Sequence, residues 1–287
     1  MSRIAHVNGA YVPQSRASVS IDDRGYRFAD GVYEVAPVQA GRIIDLKPHL
    51  DRLAQSLRGI QIDMPMPLSA ITVICQETLA RNRVLDGTVY MQISRGVAAR
   101  DHGFPKTPIK PALVVTAKSM VWPTDAGADT GIAIITTPDT RWGRCDIKAT
   151  GLLANVLAKQ KARDAGAFEA WFVRTDGSIS EGASTNAWIV DRDGRLITRP
   201  LGPEILPGIT RATVLNLARA AGLDVVERSF TVEELLGARE AFLTSTTAMV
   251  RAVIAVDGRP IANRYPGEIT RQLRGLCIAH YGTAGEA

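Results

Sequence analysis

The spacing of hydrophobic residues predicts several amphipathic helices. Leu46, Leu50, Leu53, Leu57 and Ile60 recur at intervals of three or four residues, which is the period of one helix face. A proline near the start of this segment and a glycine near its end are typical of helix boundaries. Further helices are predicted over residues 69–81, 150–165, 210–221 and 269–280.

Alternation of apolar and polar residues predicts strands between these helices. In residues 88–94 the apolar Val89, Met91 and Ile93 fall on one face. The pair Asn8-Gly9 within residues 4–12 predicts a tight hairpin turn. Further strands are predicted over residues 31–39, 112–117, 132–136, 168–173, 186–190, 195–198, 224–228, 241–244 and 253–256.

The order of these elements predicts a mixed α+β or α/β protein with two domains. A chain of 287 residues is long enough for two domains of ordinary size. Residues 120–130 contain Pro123, Gly127 and several small side chains, which favours a linker there. We therefore predict domains over residues 1–119 and 131–287. No G-x-G-x-x-G follows a strand, which disfavours a dinucleotide-binding fold.

Composition narrows the classes of function. The net charge is +5, but the basic residues are scattered, which disfavours nucleic-acid binding. The three cysteines are far apart, so neither a disulfide framework nor a metal site is expected. No apolar stretch reaches the length of a membrane span, and residues 1–14 do not resemble a secretory signal. We expect a soluble, cytoplasmic protein that binds neither metal nor membrane.

Two strings contain residues that could act on a small molecule. Lys148 ends the string RCDIK, just before the predicted helix that begins near Thr150. Glu181 lies in SEGASTN, between two predicted strands. Taken alone, the first is more often a surface lysine and the second a polar turn. In a functional site, a carboxylate at this second position could accept a hydrogen bond from a ring nitrogen.

Two further strings could bind an anion. In ILPGITR, Thr210 is a plausible N-cap for the helix that follows Gly208, and the N-terminus of a helix attracts phosphate. In TSTT, hydroxyl residues that include Ser245 and Thr246 follow a predicted strand. Taken alone, both strings also fit ordinary capped turns.

Arg100 and His102 follow the strand at residues 88–94 in a loop of small residues. In an extended loop their side chains project to the same side, because alternate residues share a face. An arginine fork with a neighbouring histidine could bind a carboxylate. Taken alone, the pair also fits a solvated loop.

Together, in this order and at these separations, the strings resemble the pyridoxal-phosphate enzymes of fold type IV. This family includes D-amino acid aminotransferases, branched-chain aminotransferases and aminodeoxychorismate lyase, and the resemblance is strongest to the first. It covers nearly the whole chain, from about Asn8 to beyond the Asp257-Gly258 turn. The matching segments are DRGYRFADGVYEV, SRGVAARDH, RWGRCDIK, LLANVLAKQKA, SEGASTN, ILPGITR and LTSTT.

The resemblance implies a role for each matching residue. Lys148 would hold pyridoxal 5'-phosphate as a Schiff base at the domain interface, and Glu181 would partner the pyridine nitrogen. The residues that would bind the cofactor phosphate are Arg52, Ile209, Thr210, Ser245 and Thr246. Tyr33 would lie near cofactor and substrate. Arg100 and His102 would bind the substrate α-carboxylate, typically from the partner subunit of a homodimer.

The reaction that the resemblance implies is transfer of the amino group of a D-amino acid to a 2-oxo acid. Three alternatives within the same fold stay open. They are an aminotransferase for branched-chain L-amino acids, one for (R)-amines, and aminodeoxychorismate lyase.

Overall fold

The computed structural model describes residues 3–123 and 130–283 of the chain. Most of the predicted linker, residues 124–129, lies outside this part. Contacts between residues divide the chain into two compact units. Among the described residues, the first unit comprises residues 3–122 and 147–151, and the second comprises Pro123, residues 130–146 and residues 152–283.

The first unit contains an antiparallel sheet with strand order β2-β1-β6-β5-β3-β4. The strands are β1 (Ile4–Val7), β2 (Ala10–Pro13), β3 (Gly31–Gln39), β4 (Arg42–Ile43), β5 (Gly87–Ser94) and β6 (Ala112–Ser119). The helices are α1 (Arg24–Phe28), α2 (Leu46–Gly59) and α3 (Leu68–Asn82), with a short 3-10 helix at Gln14–Arg16.

The predicted hairpin and helix face of the first unit are confirmed. Asn8 and Gly9 have φ of 49° and 99° and join β1 to β2, as a two-residue turn requires. The apolar face of α2 packs into the core through Leu50, Leu53 and Leu57, which are at most 5% exposed. This packing fixes the direction in which the other face of α2 points.

The second unit contains a mixed sheet with strand order β12-β11-β10-β13-β14-β7-β8-β9, and β15 pairs with β14. Its strands are β7 (Ile132–Pro138), β8 (Glu169–Val173), β9 (Ile179–Gly182), β10 (Asn186–Val190), β11 (Leu196–Thr198), β12 (Val225–Glu227), β13 (Glu240–Ser245), β14 (Met249–Val256) and β15 (Arg259–Pro260). Its helices are α4 (Leu153–Asp164), α5 (Ile209–Ala220), α6 (Val232–Leu236) and α7 (Glu268–Thr283).

The starts of the helices that follow Lys148 and Gly208 differ from the prediction. The helix predicted from Thr150 begins at Leu153, because the Thr150 N–H and hydroxyl donate to the Gly31 carbonyl at 3.0 and 3.2 Å and hold this residue outside the helix. Helix α5 begins at Ile209, so Gly208 and not Thr210 is its N-cap. Thr210 is instead a buried residue of the first helical turn.

The segment Ile147–Gly151, which contains Lys148, groups with the first unit. The domain boundaries predicted from the sequence count it in the C-terminal domain, and that division of the domains stays a prediction. The contacts that place the segment include a bridge between Ala149 and Val32 of β3. No helix in the described part of the chain combines the length and apolarity needed to cross a membrane.

Leu243 of β13 is 0% exposed in the core of the second unit. We expect Leu243→Ala to lower the free energy of unfolding by about 2–5 kcal/mol, because it removes buried methyl groups and leaves a cavity. Urea denaturation followed by circular dichroism measures this loss. The control is Leu201→Ala, because Leu201 is 57% exposed and should change stability by no more than about 0.5 kcal/mol. Equal effects of the two substitutions would contradict the assigned core.

Candidate functional site

Lys148 is held by its backbone, and its side chain lies beside an aromatic ring. Its N–H donates to Ser56 Oγ at 3.1 Å, and its carbonyl accepts from the Tyr33 N–H at 3.0 Å. Lys148 Nζ lies 4.4 Å from the centroid of the Tyr33 ring. The structure therefore brings together two residues that were assigned to one site from the sequence.

Tyr33 has an aromatic neighbour that was not identified from the sequence. Its ring stacks on Tyr90 with centroids 5.7 Å apart, and the Tyr90 hydroxyl donates to Gln92 Oε1 at 2.7 Å. Burial, with the nearby Tyr33, raises the pKa of Tyr90 to about 12. Tyr90 is therefore a neutral phenol at physiological pH. The register of β3 against β5 places Tyr33 opposite Gln92, and the alternation in β5 could have indicated this shared face.

Arg52 is fixed by a buried carboxylate. Its Nε and Nη2 donate to Glu34 Oε1 and Oε2 at 2.7 and 2.8 Å, and His49 Nδ1 lies 2.8 Å from Oε2. Glu34 is 0% exposed. Burial alone would raise the pKa of Glu34, but the charge and hydrogen bonds of Arg52, with those of His49, lower it to about 2. Glu34 therefore stays ionised and orients the guanidinium of Arg52.

Arg100 and His102 lie in the exposed loop between β5 and β6. The Arg100 Cζ is 5.6 Å from the centroid of the Phe28 ring, and the His102 ring is 5.4 Å from the same centroid. The structure thus places the two side chains against one aromatic ring. Phe28 lies in the string DRGYRFADGVYEV, but no pattern in the sequence connects it with this pair.

In the second unit, the carboxylate of Glu181 accepts hydrogen bonds from several donors. Its carboxylate accepts from Asn186 Nδ2 at 2.9 Å, from the Leu206 N–H at 3.1 Å and from Arg141 Nη1 at 2.5 Å. Glu181 is 5% exposed. Hydrogen bonds donated to the charged form favour an ionised carboxylate. The side chain is thereby held in one orientation.

Arg141 is itself fixed by a second carboxylate. Its Nε and Nη2 each donate to Asp139 at 2.9 Å, and Ser180 Oγ donates to Asp139 Oδ2 at 2.7 Å. Burial would raise the pKa of Asp139, but the hydrogen bonds and charge of Arg141 lower it. Burial would lower the pKa of Arg141, but Asp139 and Glu181 raise it. Neither residue was identified from the sequence, although they lie just before and within RWGRCDIK.

The N-terminus of α5 offers donors to an anion. Within the described chain, no acceptor is found for the N–H groups of Ile209 and Thr210. A Cβ at Gly208 would lie 2.1 Å from Asn186 Oδ1, so only glycine allows this close approach. Helix α5 packs against β13, which ends at Ser245. Free N–H groups at a helix N-terminus are the donors that a phosphate requires.

These observations test whether the residues present fit pyridoxal phosphate. The second unit offers a helix N-terminus suited to a phosphate and a hydrogen-bonded carboxylate suited to a ring nitrogen. The first unit offers a preoriented arginine and a lysine amine beside an aromatic ring. Taken by itself, each unit therefore offers groups with the chemistry that the cofactor requires. Within residues 3–123 and 130–283, no group of three His, Cys, Asp or Glu side chains is placed to hold a metal ion.

Comparison with known proteins identifies the family. Residues 31–256 match the family described as amino-transferase class IV. The chain is 38% identical to the D-alanine aminotransferase of Staphylococcus haemolyticus over 268 residues, which cover 93% of this chain and 94% of that protein. It is 40% identical to the D-alanine aminotransferase of Bacillus licheniformis over 270 residues, which cover 93% of each.

A solved structure shares the fold. The branched-chain aminotransferase of the archaeon Thermoproteus uzoniensis with norvaline has a TM-score of 0.86 and 26% identity, and the alignment covers 100% of this chain and 97% of that one. These matches extend across both units. The chain therefore belongs to the class IV aminotransferases, and it is a pyridoxal-phosphate-dependent aminotransferase of fold type IV.

Proposed function

We propose that the protein is a D-amino acid transaminase, which moves the amino group of a D-amino acid such as D-alanine to a 2-oxo acid such as 2-oxoglutarate. The observation that carries this proposal is the pair Arg100 and His102, brought together on Phe28 and exposed to solvent. Such a pair fits a substrate carboxylate. The D-alanine aminotransferases at 38–40% identity support the same substrate class.

We assign the cofactor contacts as follows. Lys148 Nζ would hold the cofactor covalently, and the carboxylate of Glu181 would accept a hydrogen bond from the protonated ring nitrogen. Pyridoxal phosphate, when bound, supplies an aldehyde for the amino group and a ring that accepts electrons. The residues proposed to bind its phosphate are Arg52, Ile209, Thr210, Ser245 and Thr246. The guanidinium of Arg52, which Glu34 orients, and the N–H groups at the start of α5 support this assignment.

We assign the substrate contacts from the same geometry. Arg100 and His102 donate to the α-carboxylate, and Tyr33 packs beside the reacting carbon. The amino group of the substrate would replace Lys148 on the cofactor, and the released Nζ, now a free amine, would accept the proton from the substrate Cα as a general base. Because the carboxylate is fixed on one side, only one enantiomer can aim this proton at Nζ.

Branched-chain aminotransferase is the second candidate, because a solved structure of that enzyme shares the fold with a TM-score of 0.89. An (R)-amine aminotransferase and aminodeoxychorismate lyase share the fold type as well. A screen of D- and L-amino acids and an (R)-amine with 2-oxoglutarate and pyruvate separates these activities. Preference for L-leucine would overturn the D-amino acid proposal, as would release of pyruvate without an amino acceptor.

Assembly as a homodimer is also a proposal. Helix α4 exposes Leu153, Val156 and Leu157, which are 72%, 58% and 63% exposed and lie on one face at helical spacing. An uncovered apolar stripe favours contact with another protein surface, here a second copy. The proposed cytoplasmic location is supported by the three free cysteines, since a reducing compartment keeps thiols unpaired.

We expect Lys148→Ala to abolish transamination, because no other group would hold the cofactor covalently. Borohydride reduction of the wild-type protein followed by peptide mass mapping should place the pyridoxyl group on Lys148. The control is Lys47→Ala, because the Lys47 side chain is 85% exposed. Its removal is expected to change neither the position of the pyridoxyl group nor the transaminase activity. A label on another residue would contradict the assignment.

We expect Arg100→Ala to lower kcat/KM for D-alanine, because it costs about 2–5 kcal/mol of transition-state stabilisation, the range for removing one half of a desolvated charge pair. This loss corresponds to about one and a half to three and a half decades. Steady-state kinetics with 2-oxoglutarate as the acceptor measure it. A loss under about threefold would show that Arg100 does not bind the substrate carboxylate.

A further inference from the structure

Phe28, the last residue of α1, is the shared contact of the two proposed carboxylate-binding side chains. The Arg100 Cζ and the His102 ring lie 5.6 and 5.4 Å from its centroid. Within the described chain, no acidic side chain lies within ion-pair distance of Arg100. The guanidinium is therefore steadied by an aromatic ring and keeps its full charge available for an anion.

Arg24, at the other end of α1, holds the backbone of the same loop. Its Nη1 donates to the Asp101 carbonyl at 2.6 Å and its Nη2 to the His102 carbonyl at 3.3 Å. Its Cζ also lies 4.8 Å from the Phe28 centroid. One short helix thus contacts both the side chains and the main chain of the loop.

Arg24 is itself fixed in position. Its Nε donates to Asp30 Oδ2 at 2.8 Å, and Arg95 Nε donates to the same oxygen at 2.7 Å. Arg95 Nη1 and Nη2 donate to the carbonyls of Gln61 and Ile60. The Arg24 side chain is only 4% exposed. The loop is therefore tied, through Arg24 and Asp30, to the buried part of the first unit.

We propose that Phe28 and Arg24 are positioning residues for the substrate carboxylate: Phe28 restrains the side chains of Arg100 and His102, and Arg24 restrains their backbone. This inference rests on the proposed role of Arg100 and His102. An exposed arginine loses side-chain freedom when it binds an anion, and prior restraint reduces that loss. The effect belongs to binding of the carboxylate, so it acts on KM more than on kcat.

We expect Phe28→Leu to raise KM for D-alanine by about 5- to 30-fold, the effect of losing one or two cation–π contacts, while kcat changes by less than about threefold. Competitive inhibition by propionate, which has a carboxylate but no amine, should weaken by a similar factor. Phe28→Met should raise KM as Phe28→Leu does. Phe28→Tyr should keep the wild-type KM, because tyrosine keeps the aromatic ring. Thermal unfolding of each holoenzyme checks that it is folded.

Tyr26→Leu is the matched control, because Tyr26 is an aromatic residue of the same helix and is 75% exposed. It should leave both KM and propionate inhibition unchanged. In an Arg100→Ala background, Phe28→Leu should have a clearly smaller effect than in the wild type, since Phe28 acts partly through Arg100.

The outcomes separate two failures. If Arg100→Ala leaves kcat/KM for D-alanine nearly unchanged, the proposed function of the pair is wrong and this inference falls with it. If Arg100→Ala has its expected effect but Phe28→Leu matches Tyr26→Leu, only the role of Phe28 is overturned. A loss confined to kcat, or full additivity with Arg100→Ala, overturns it as well.

Discussion

Pairing of buried charges is the constraint on which the proposed cofactor contacts depend. A charged side chain removed from water is unstable unless an opposite charge and hydrogen bonds compensate it. Glu34 is completely buried, and its bonds to Arg52 keep it ionised. Arg141 lies between Asp139 and Glu181 in the second unit. In both units, a group proposed to meet the cofactor is thus oriented by an opposite charge behind it.

The side chains proposed to bind the substrate carboxylate are supported differently. Arg100 and His102 are exposed, and their support is the ring of Phe28 rather than a carboxylate. A carboxylate partner would compete with the carboxylate of the substrate for the same donors. An aromatic ring restrains a guanidinium without occupying its N–H groups or cancelling its charge. The proposed contacts of the cofactor, which stays bound, are therefore oriented by carboxylates, whereas those of the substrate, which exchanges, are restrained by an aromatic ring.

Local patterns were sufficient where the determining interactions are local. The φ values at Asn8 and Gly9 depend on those two residues, and the apolar face of α2 follows from its own spacing. Elements too short to show a period were missed, among them β9 and α6, which span Ile179–Gly182 and Val232–Leu236. The start of α4 was misplaced because the Gly31 carbonyl, which is distant in sequence, accepts a hydrogen bond from Thr150 and holds this residue outside the helix.

The sequence by itself determined the mixed fold, the family resemblance and the residues that we propose for the site, because these depend on residue type and order. Only the tertiary structure decided which partners hold them. Glu34 lies 18 residues from Arg52, Glu181 lies 40 residues from Arg141, and the Asp101 carbonyl lies 77 residues from Arg24. No local period connects such pairs, since their proximity arises when strands and helices pack around a common core.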